Sequence, residues 1–361
     1  MRIGIITYQR SVSYGAFLQT YALTRYLSDM GHDVQVIDYN PAHRDSRARP
    51  WSRRYGGLHP QNLVNLHKRW SFSAAIRRHL PLTERSYRTL DELRQDPPDM
   101  DAYICGSDQI WNPEHIGGGF DPAYFGCFGP PRVKRIAYAA SIGAAHLPGQ
   151  YHEAFRDCIS SLDAISVREA SACGIVQQLT GRDCERVVDP AFLISDYGEL
   201  VGTERRSKGR FVLVYGLSHS PLLERAVGSA TKELGLPAAY VVESFRQFAH
   251  HGQRRICSPG QWLSMFEQAD AVVTDSFHGL VFALKLQKPF IAVGLPEAVQ
   301  ERNVRQMDLL KMLGLTERLV LHDRDLENEG LVTADIDWRN TMERMSDMVA
   351  SARSYLARAL G

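Results

Sequence analysis

No apolar run in this 361-residue chain approaches the roughly 20 residues needed to cross a bilayer. The apolar start, Met1 to Thr7, is too short for the hydrophobic region of a secretory signal. There is no CxxC pair and no histidine cluster at metal-ligand spacing, and the six cysteines are scattered, the pattern of reduced thiols. Nor does one charge dominate: 42 Lys and Arg stand against 41 Asp and Glu, which argues against a dedicated nucleic-acid binder. The expectation is a cytoplasmic protein, peripheral to the inner face of a membrane at most, with no metal and no nucleic-acid partner.

What the sequence has is an alternation of short β-rich runs with helical patterns. Arg2–Thr7 reads as a buried strand, Tyr14–Met30 as a helix with Phe17, Leu18, Tyr21, Leu23 and Leu27 near helical spacing, and Asp33–Tyr39 as the next strand. The turn from Ser11 to Gly15 lacks the full GxGxxG spacing of a dinucleotide site, and Ser13 reads equally well as a plain helix cap. Residues 41–98 break the pattern, with twelve Lys or Arg against five Asp or Glu and with Trp51, Tyr55, Trp70 and Phe72 among them. Such a basic insertion, with Arg77 and Arg78 inside a helix, suits an anionic acceptor or membrane surface, and equally a solvated helical face.

Strands resume at Asp101–Cys105, Arg135–Ala140 and Ile165–Val167. A second, similar half begins near residue 190, with strands at Arg210–Tyr215, Ala238–Val242, Ala271–Val273 and Pro289–Val293. Its helices fall at Leu222–Leu234, after Ser258-Pro259 (with Trp262, Met265, Phe266 and Ala269 on one face) and from Leu280. The last 25 residues read as a long amphipathic helix. The economical architecture is α/β, two halves with a cleft between them and a closing helix, in a chain long enough for two cores.

The run from Asp270 to Gly279 carries the strongest functional signal. An apolar strand passes directly into Asp275, Ser276 and His278 and then a helix, and strand ends of this kind are where α/β sheets bind ligands. A histidine there can touch an anion and move a proton. A second strand end, Gly106 to Asn112, offers Asp108, Gln109 and Asn112 to the hydroxyls of a sugar-like acceptor, with Gly106 letting the backbone approach. The same loop also reads as a polar turn anchored by Trp111. Arg168 at a strand end is either a clamp for carboxylate or phosphate or the partner of a neighbouring acid such as Glu169. Asp38 and Asp189 read as turn and cap residues.

Seven segments fall in a familiar order: Tyr14-Gly-Ala-x-Leu-Gln-Thr-Tyr-Ala-Leu23, Gly106-Ser-Asp-Gln-Ile-Trp-Asn112, Tyr138-Ala-Ala-Ser-Ile-Gly143, Ser166-Val-Arg-Glu169, Val188-Asp-Pro-Ala-Phe-Leu193, Thr274-Asp-Ser-Phe-His-Gly279 and Leu309-Leu-x-x-Leu-Gly-Leu315. Together they resemble the polysaccharide pyruvyl transferase family over nearly the whole chain apart from the basic insertion and the C-terminal tail. The resemblance implies two Rossmann-like domains in a glycosyltransferase-B-like arrangement. Residues 1–195 would be the acceptor side, with insertion 41–98, residues 196–335 the donor side, and 336–361 a C-terminal helix.

It also implies an enzyme that moves a pyruvyl group from phosphoenolpyruvate onto two hydroxyls of a sugar, giving a ketal. The acceptor would be a hexose or N-acetylhexosamine of a polysaccharide or its lipid-linked precursor, and phosphoenolpyruvate is a co-substrate, with no cofactor. In the family pattern His278 is the general acid and Arg168 grips the donor. Beside these, Arg305 is a candidate second clamp, Ser276 and His219 are donor-side candidates, Asp108 is the candidate acceptor base, and Gln109, Asn112 and Tyr14 are candidates for the acceptor side. One departure stands out: family members carry Arg-Leu-His where this chain has Ser276-Phe277-His278. The missing charge then falls to Arg305, Arg302 or His219, or the donor differs. The competing expectation is a nucleotide-sugar glycosyltransferase on the same frame, for which Glu243 is the one candidate ribose ligand.

Overall fold

The computed structural model describes residues 1–45, 60–201, 209–218, 220–244, 252–296, 303–327 and 330–361. They divide into two compact units, one holding residues from 1–45, 73–195 and 346–361 and the other residues from 60–72 and 196–345. Among the described residues no helix is long and apolar enough to cross a membrane.

In the first unit the described residues form a seven-stranded parallel sheet of β1 (Arg2–Ile6), β2 (Asp33–Tyr39), β3 (Leu82–Tyr87), β4 (Ala102–Asp108), β5 (Lys134–Ala140), β6 (Ala164–Val167) and β7 (Glu185–Arg186). Their order is β3-β2-β1-β4-β5-β6-β7. The second unit has a six-stranded parallel sheet of β8 (Val212–Tyr215), β9 (Ala238–Val241), β10 (Gln253–Arg255), β11 (Ala271–Thr274), β12 (Phe290–Val293) and β13 (Leu319–Val320), ordered β10-β9-β8-β11-β12-β13. Each chain path starts at a central strand, winds to one edge, returns and winds to the other. That is the doubly wound order, and its ligand crevice opens where the direction reverses, at the carboxyl ends of β1 and β4 and of β8 and β11.

Burial on both faces explains why these strands are almost wholly apolar. Every residue of β8, β9, β11 and β12 is buried. Helix ends follow local chemistry. Ser13 caps the helix Tyr14–Asp29, Ser258 and Gln261 form a capping box on Pro259–Gln268, and Gly31, at φ 86°, ends the first helix's turn in the left-handed region. As the spacing predicts, Trp262, Met265, Phe266 and Ala269 are all buried. Trp262 packs on Phe266 and Phe282 with ring centroids 4.1 and 5.1 Å away.

Three features depart from the sequence reading. Residues 82–87, inside the segment read as an insertion, supply the outer strand β3, paired with β2. It is polar because it is an edge, with Glu84, Arg85 and Ser86 exposed, as edge strands commonly are. Strand β4 runs on to Asp108, paired with Ala140, so Gly106 is a strand residue. A Cβ at Gly106 would come within 2.8 Å of Leu23 Cδ2, so this glycine lets the helix Tyr14–Asp29 press on the sheet rather than a ligand on a loop. Finally, the helix expected from Leu280 begins at Phe277, which puts His278 inside its first turn.

That first turn sits tightly on its own strand. A Cβ at Gly279 would lie 2.1 Å from Thr274 Oγ1. The Thr274 hydroxyl donates to the Tyr215 carbonyl at 2.6 Å and accepts from the Ser276 amide at 3.1 Å, so it cannot rotate away without losing both bonds. Gly279→Ala is therefore expected to cost about 1–3 kcal/mol of stability by overpacking, read from urea denaturation. Parent-like stability would show that Thr274 can yield.

Candidate active site

At the switch point of the second sheet, the Asp275 carboxylate bridges the ends of β11 and β8. It accepts the amides of Leu217 at 2.7 Å and Ser218 at 2.8 Å, and a short hydrogen bond from the Ser218 hydroxyl. Burial raises its pKa above the usual carboxylate value, and the three donors pull it part of the way back. The Asp275 carbonyl accepts from Gln306 Nε2 at 2.9 Å, which ties the helix Val304–Leu313 to the same corner. Ser276 caps the helix Phe277–Lys285, its hydroxyl accepting from the Gly279 amide at 3.4 Å.

His278 is buried in the first turn of that helix, its ring centroid 5.3 Å from that of Phe277 and nearly perpendicular to it, at 80°. The Arg305 guanidinium stands over the same Phe277 ring, 5.5 Å from its centroid. The structure thus gathers Ser276, His278 and Arg305 into one corner, with an imidazole and a guanidinium beside a helix start. Such a corner attracts anions and can carry a proton. His219 and Arg302 lie outside the described residues. The same unit holds a cavity of about 840 Å³, lined among others by Pro221, Leu222, Leu295, Asn303, Val304, Met307 and His322, and Ser276, His278 and Arg305 do not line it.

The first unit holds a second polar centre. Arg168, its side chain only 3% exposed, pairs with Asp189 at 2.7 Å and lies 3.9 Å from Asp108 and 4.0 Å from Glu169. Burial works against its charge, but the carboxylates of Asp189, Glu169 and Asp108 outweigh burial and raise its pKa. Glu169 in turn accepts a short hydrogen bond from the Ser141 hydroxyl, and Asp189 accepts from Ser107 at 3.3 Å. Asp108 sits at φ 70°, a region that costs a non-glycine residue strain, and its carboxylate accepts the Gln109 amide at 2.9 Å. Gln109 and Asn112 bond to each other at 2.8 Å, and Asn112 caps the next short turn through Glu114 at 3.0 Å. Tyr14 is buried at the first position of its helix.

Of the residues singled out from sequence, Asp108, Gln109, Asn112 and Arg168 therefore fall together in the first unit, and Ser276, His278 and Arg305 in the second. Arg168, read as a donor clamp, lies in the first unit near Asp108 and is surrounded by carboxylates. Asp189 does cap a turn, accepting from the Ala191 amide at 3.0 Å, and it is also the close partner of Arg168. Sequence reading missed the parts played by Ser218, Thr274 and Gln306. Thr274 alone carried a signal, being the polar residue at the end of an apolar strand. Glu243 forms an ion pair with buried Lys68 at 2.6 Å. Among the described residues no three His, Cys, Asp or Glu side chains group as a metal site would.

Removing one partner of a buried ion pair leaves the other charge uncompensated. Arg168→Ala is expected to lower unfolding free energy by about 3–5 kcal/mol, and adding Asp189→Asn should recover part of the loss. Denaturation curves of the two variants check this, and an Arg168→Ala protein as stable as the parent would contradict it.

Two doubly wound α/β units, one with a histidine at the helix start of its switch point, define a protein of the glycosyltransferase-B-like fold class. Solved structures share that fold. A Listeria monocytogenes protein described as a UDP-N-acetylglucosamine 2-epimerase aligns at a TM-score of 0.54 and 10% identity, over 97% of this chain and 90% of its own. The S. aureus MnaA–UDP co-structure aligns at 0.51 and 11%, over 99% and 96%. A UDP-N-acetylglucosamine 2-epimerase from Rickettsia bellii gives 0.51 and 10%, over 99% and 96%. Identities this low speak to fold alone. No curated protein matches the chain. The family model for polysaccharide pyruvyl transferase matches residues 14–295, most of the chain, and the chain belongs to that family.

Proposed function

We propose that this chain transfers a pyruvyl group from phosphoenolpyruvate onto two hydroxyls of a sugar, in a polysaccharide or its lipid-linked precursor, as a ketal. The observation that carries the donor assignment is Arg305 against Phe277. It supports a cation beside the Ser276-Phe277-His278 segment, where the family's usual arginine is replaced by serine. A small polyanion needs fixed positive charge and a helix start more than it needs apolar walls.

His278 gives its proton to C3 of the enolpyruvyl group, so the C2–C3 double bond is lost and C2 becomes electrophilic. An acceptor hydroxyl then bonds to C2 and surrenders its proton to Asp108. The C2–O bond to phosphate breaks, and inorganic phosphate leaves with the proton that Asp108 accepted. The second hydroxyl closes the ketal, and its proton restores His278. Arg305 holds the donor's anionic groups, and Ser276 adds a hydroxyl donor. Gln109, Asn112 and Tyr14 remain the proposed acceptor side. In this reading Arg168, among carboxylates, positions Asp108 rather than gripping the donor.

A second reading, a nucleotide-sugar glycosyltransferase, is favoured by one observation: the second unit holds a cavity of about 840 Å³, not lined by Ser276, His278 or Arg305, with room for a nucleotide. The S. aureus relative in fold was solved with UDP. Against it, Glu243 is engaged by Lys68. Phosphate release from phosphoenolpyruvate in the presence of sugar acceptors tests the first reading. His278→Ala is expected to slow that release by about 10²-fold or more, the range for a general acid. Parent-like turnover in that variant would remove His278 from the chemistry, and acceptor-dependent release of a nucleoside diphosphate from a sugar nucleotide would favour the second reading.

A further inference from the structure

The helix Pro60–His79 has an outer face of unusual composition. Of the six large apolar side chains exposed among the described residues, three lie on it: Leu63 at 68%, Leu66 at 52% and Trp70 at 68%. At 100° per residue they share one stripe, an arc of about 120°, with Arg77 and Arg78. From Leu63 to Arg78 this stripe runs about 22 Å. The opposite face is an ordinary packing surface, with Val64, Phe72 and Ile76 buried. Lys68 is buried there too, in its ion pair with Glu243. A helix that has already satisfied its inner face has no need of Leu and Trp outside.

Charge on the stripe is one-signed. The helix holds Lys68, Arg69, Arg77 and Arg78 and no Asp or Glu. Arg77 and Arg78 are exposed, and neither forms an ion pair among the described residues. Exposed Leu and Trp beside unpaired Arg, along a helix that lies on its protein by the other face, match an interfacial membrane helix: Trp and Leu enter the boundary of the acyl chains while guanidinium groups meet anionic headgroups.

We propose that this stripe docks the protein on an anionic lipid surface. The inference rests on the reading of the chain as a transferase whose acceptor sugar is carried on a lipid, and it supplies the means of bringing enzyme and acceptor together. Binding through a single short stripe is weak, reversible and weakened by salt.

The full-length protein is mixed with vesicles of phosphatidylcholine alone or of phosphatidylcholine with phosphatidylglycerol, and the sedimented fraction is measured at low and high salt. Binding is expected on the anionic vesicles only, weakened by salt. Arg77→Glu/Arg78→Glu and Leu63→Ser/Leu66→Ser/Trp70→Ser should each weaken it by about tenfold or more. All five side chains are exposed, so both variants should melt like the parent, and melting curves check that they fold. No binding by the parent, or binding untouched by both variants, overturns the proposal. A parent dimer that dissociates in the serine variant, without vesicle binding, would give the face to a second copy of the chain and also overturn it. Turnover of phosphoenolpyruvate with a water-soluble sugar needs no vesicle, so failure of docking and failure of the proposed activity are read separately.

Discussion

A buried carboxylate holds the candidate donor corner together. Asp275 draws the Leu217 and Ser218 amides to the end of β11 through both of its oxygens, and its carbonyl receives Gln306 from the helix that carries Arg305. Three chain segments distant in sequence thus converge on one residue at the switch point. A backbone group or carboxylate buried without such partners would cost more than the segments gain by meeting, so the corner forms as a whole or not at all. His278 and Arg305 inherit their places from it: one follows Asp275 by three residues, and the other precedes Gln306 by one.

The two polar centres differ in their balance of charge. Around Arg168, three carboxylates surround one guanidinium, and such a cluster repels a multiply charged anion whatever its shape. The His278 corner holds the Arg305 guanidinium and a helix start, together with the buried Asp275 carboxylate, whose oxygens are taken up by the Leu217 and Ser218 donors. The proposed reaction therefore gives the anionic donor to the second centre and the neutral, hydroxyl-rich acceptor to the first. That division is the physical basis for giving Asp108 the base's role and Arg305 the clamp's. The strained backbone at Asp108 fits a residue held for chemistry rather than for packing.

Much of the fold was legible because parallel strands buried on both faces have no alternative to apolar runs. Asp33–Tyr39 was read to the residue, and β1, β5, β11 and β12 within a residue or two. Edges were not: β7 and β10 are short, exposed and charged, β3 exposes Glu84, Arg85 and Ser86, and nothing in their composition separates them from loops. The extension of β4 through Gly106 to Asp108 was hidden because its last residues look like a polar turn. In the site, the pattern around His278 was visible as a strand running into polar residues. The partners of Asp275 and Arg168 were not, because Ser218 and Asp189 lie far along the chain and only folding makes them neighbours. Arg305 was legible as a candidate second clamp, but its contact with the Phe277 ring was not.

The central claim is that the corner of Ser276, His278 and Arg305 receives phosphoenolpyruvate. Calorimetric titration of the purified protein with phosphoenolpyruvate, run beside UDP, GDP and CMP and repeated on Arg305→Ala, tests it most directly. The expected result is saturable binding of phosphoenolpyruvate by the parent, with a matching rise in thermal stability, and marked weakening in the variant. Binding of a nucleotide with none of phosphoenolpyruvate, or phosphoenolpyruvate binding indifferent to Arg305, would contradict it.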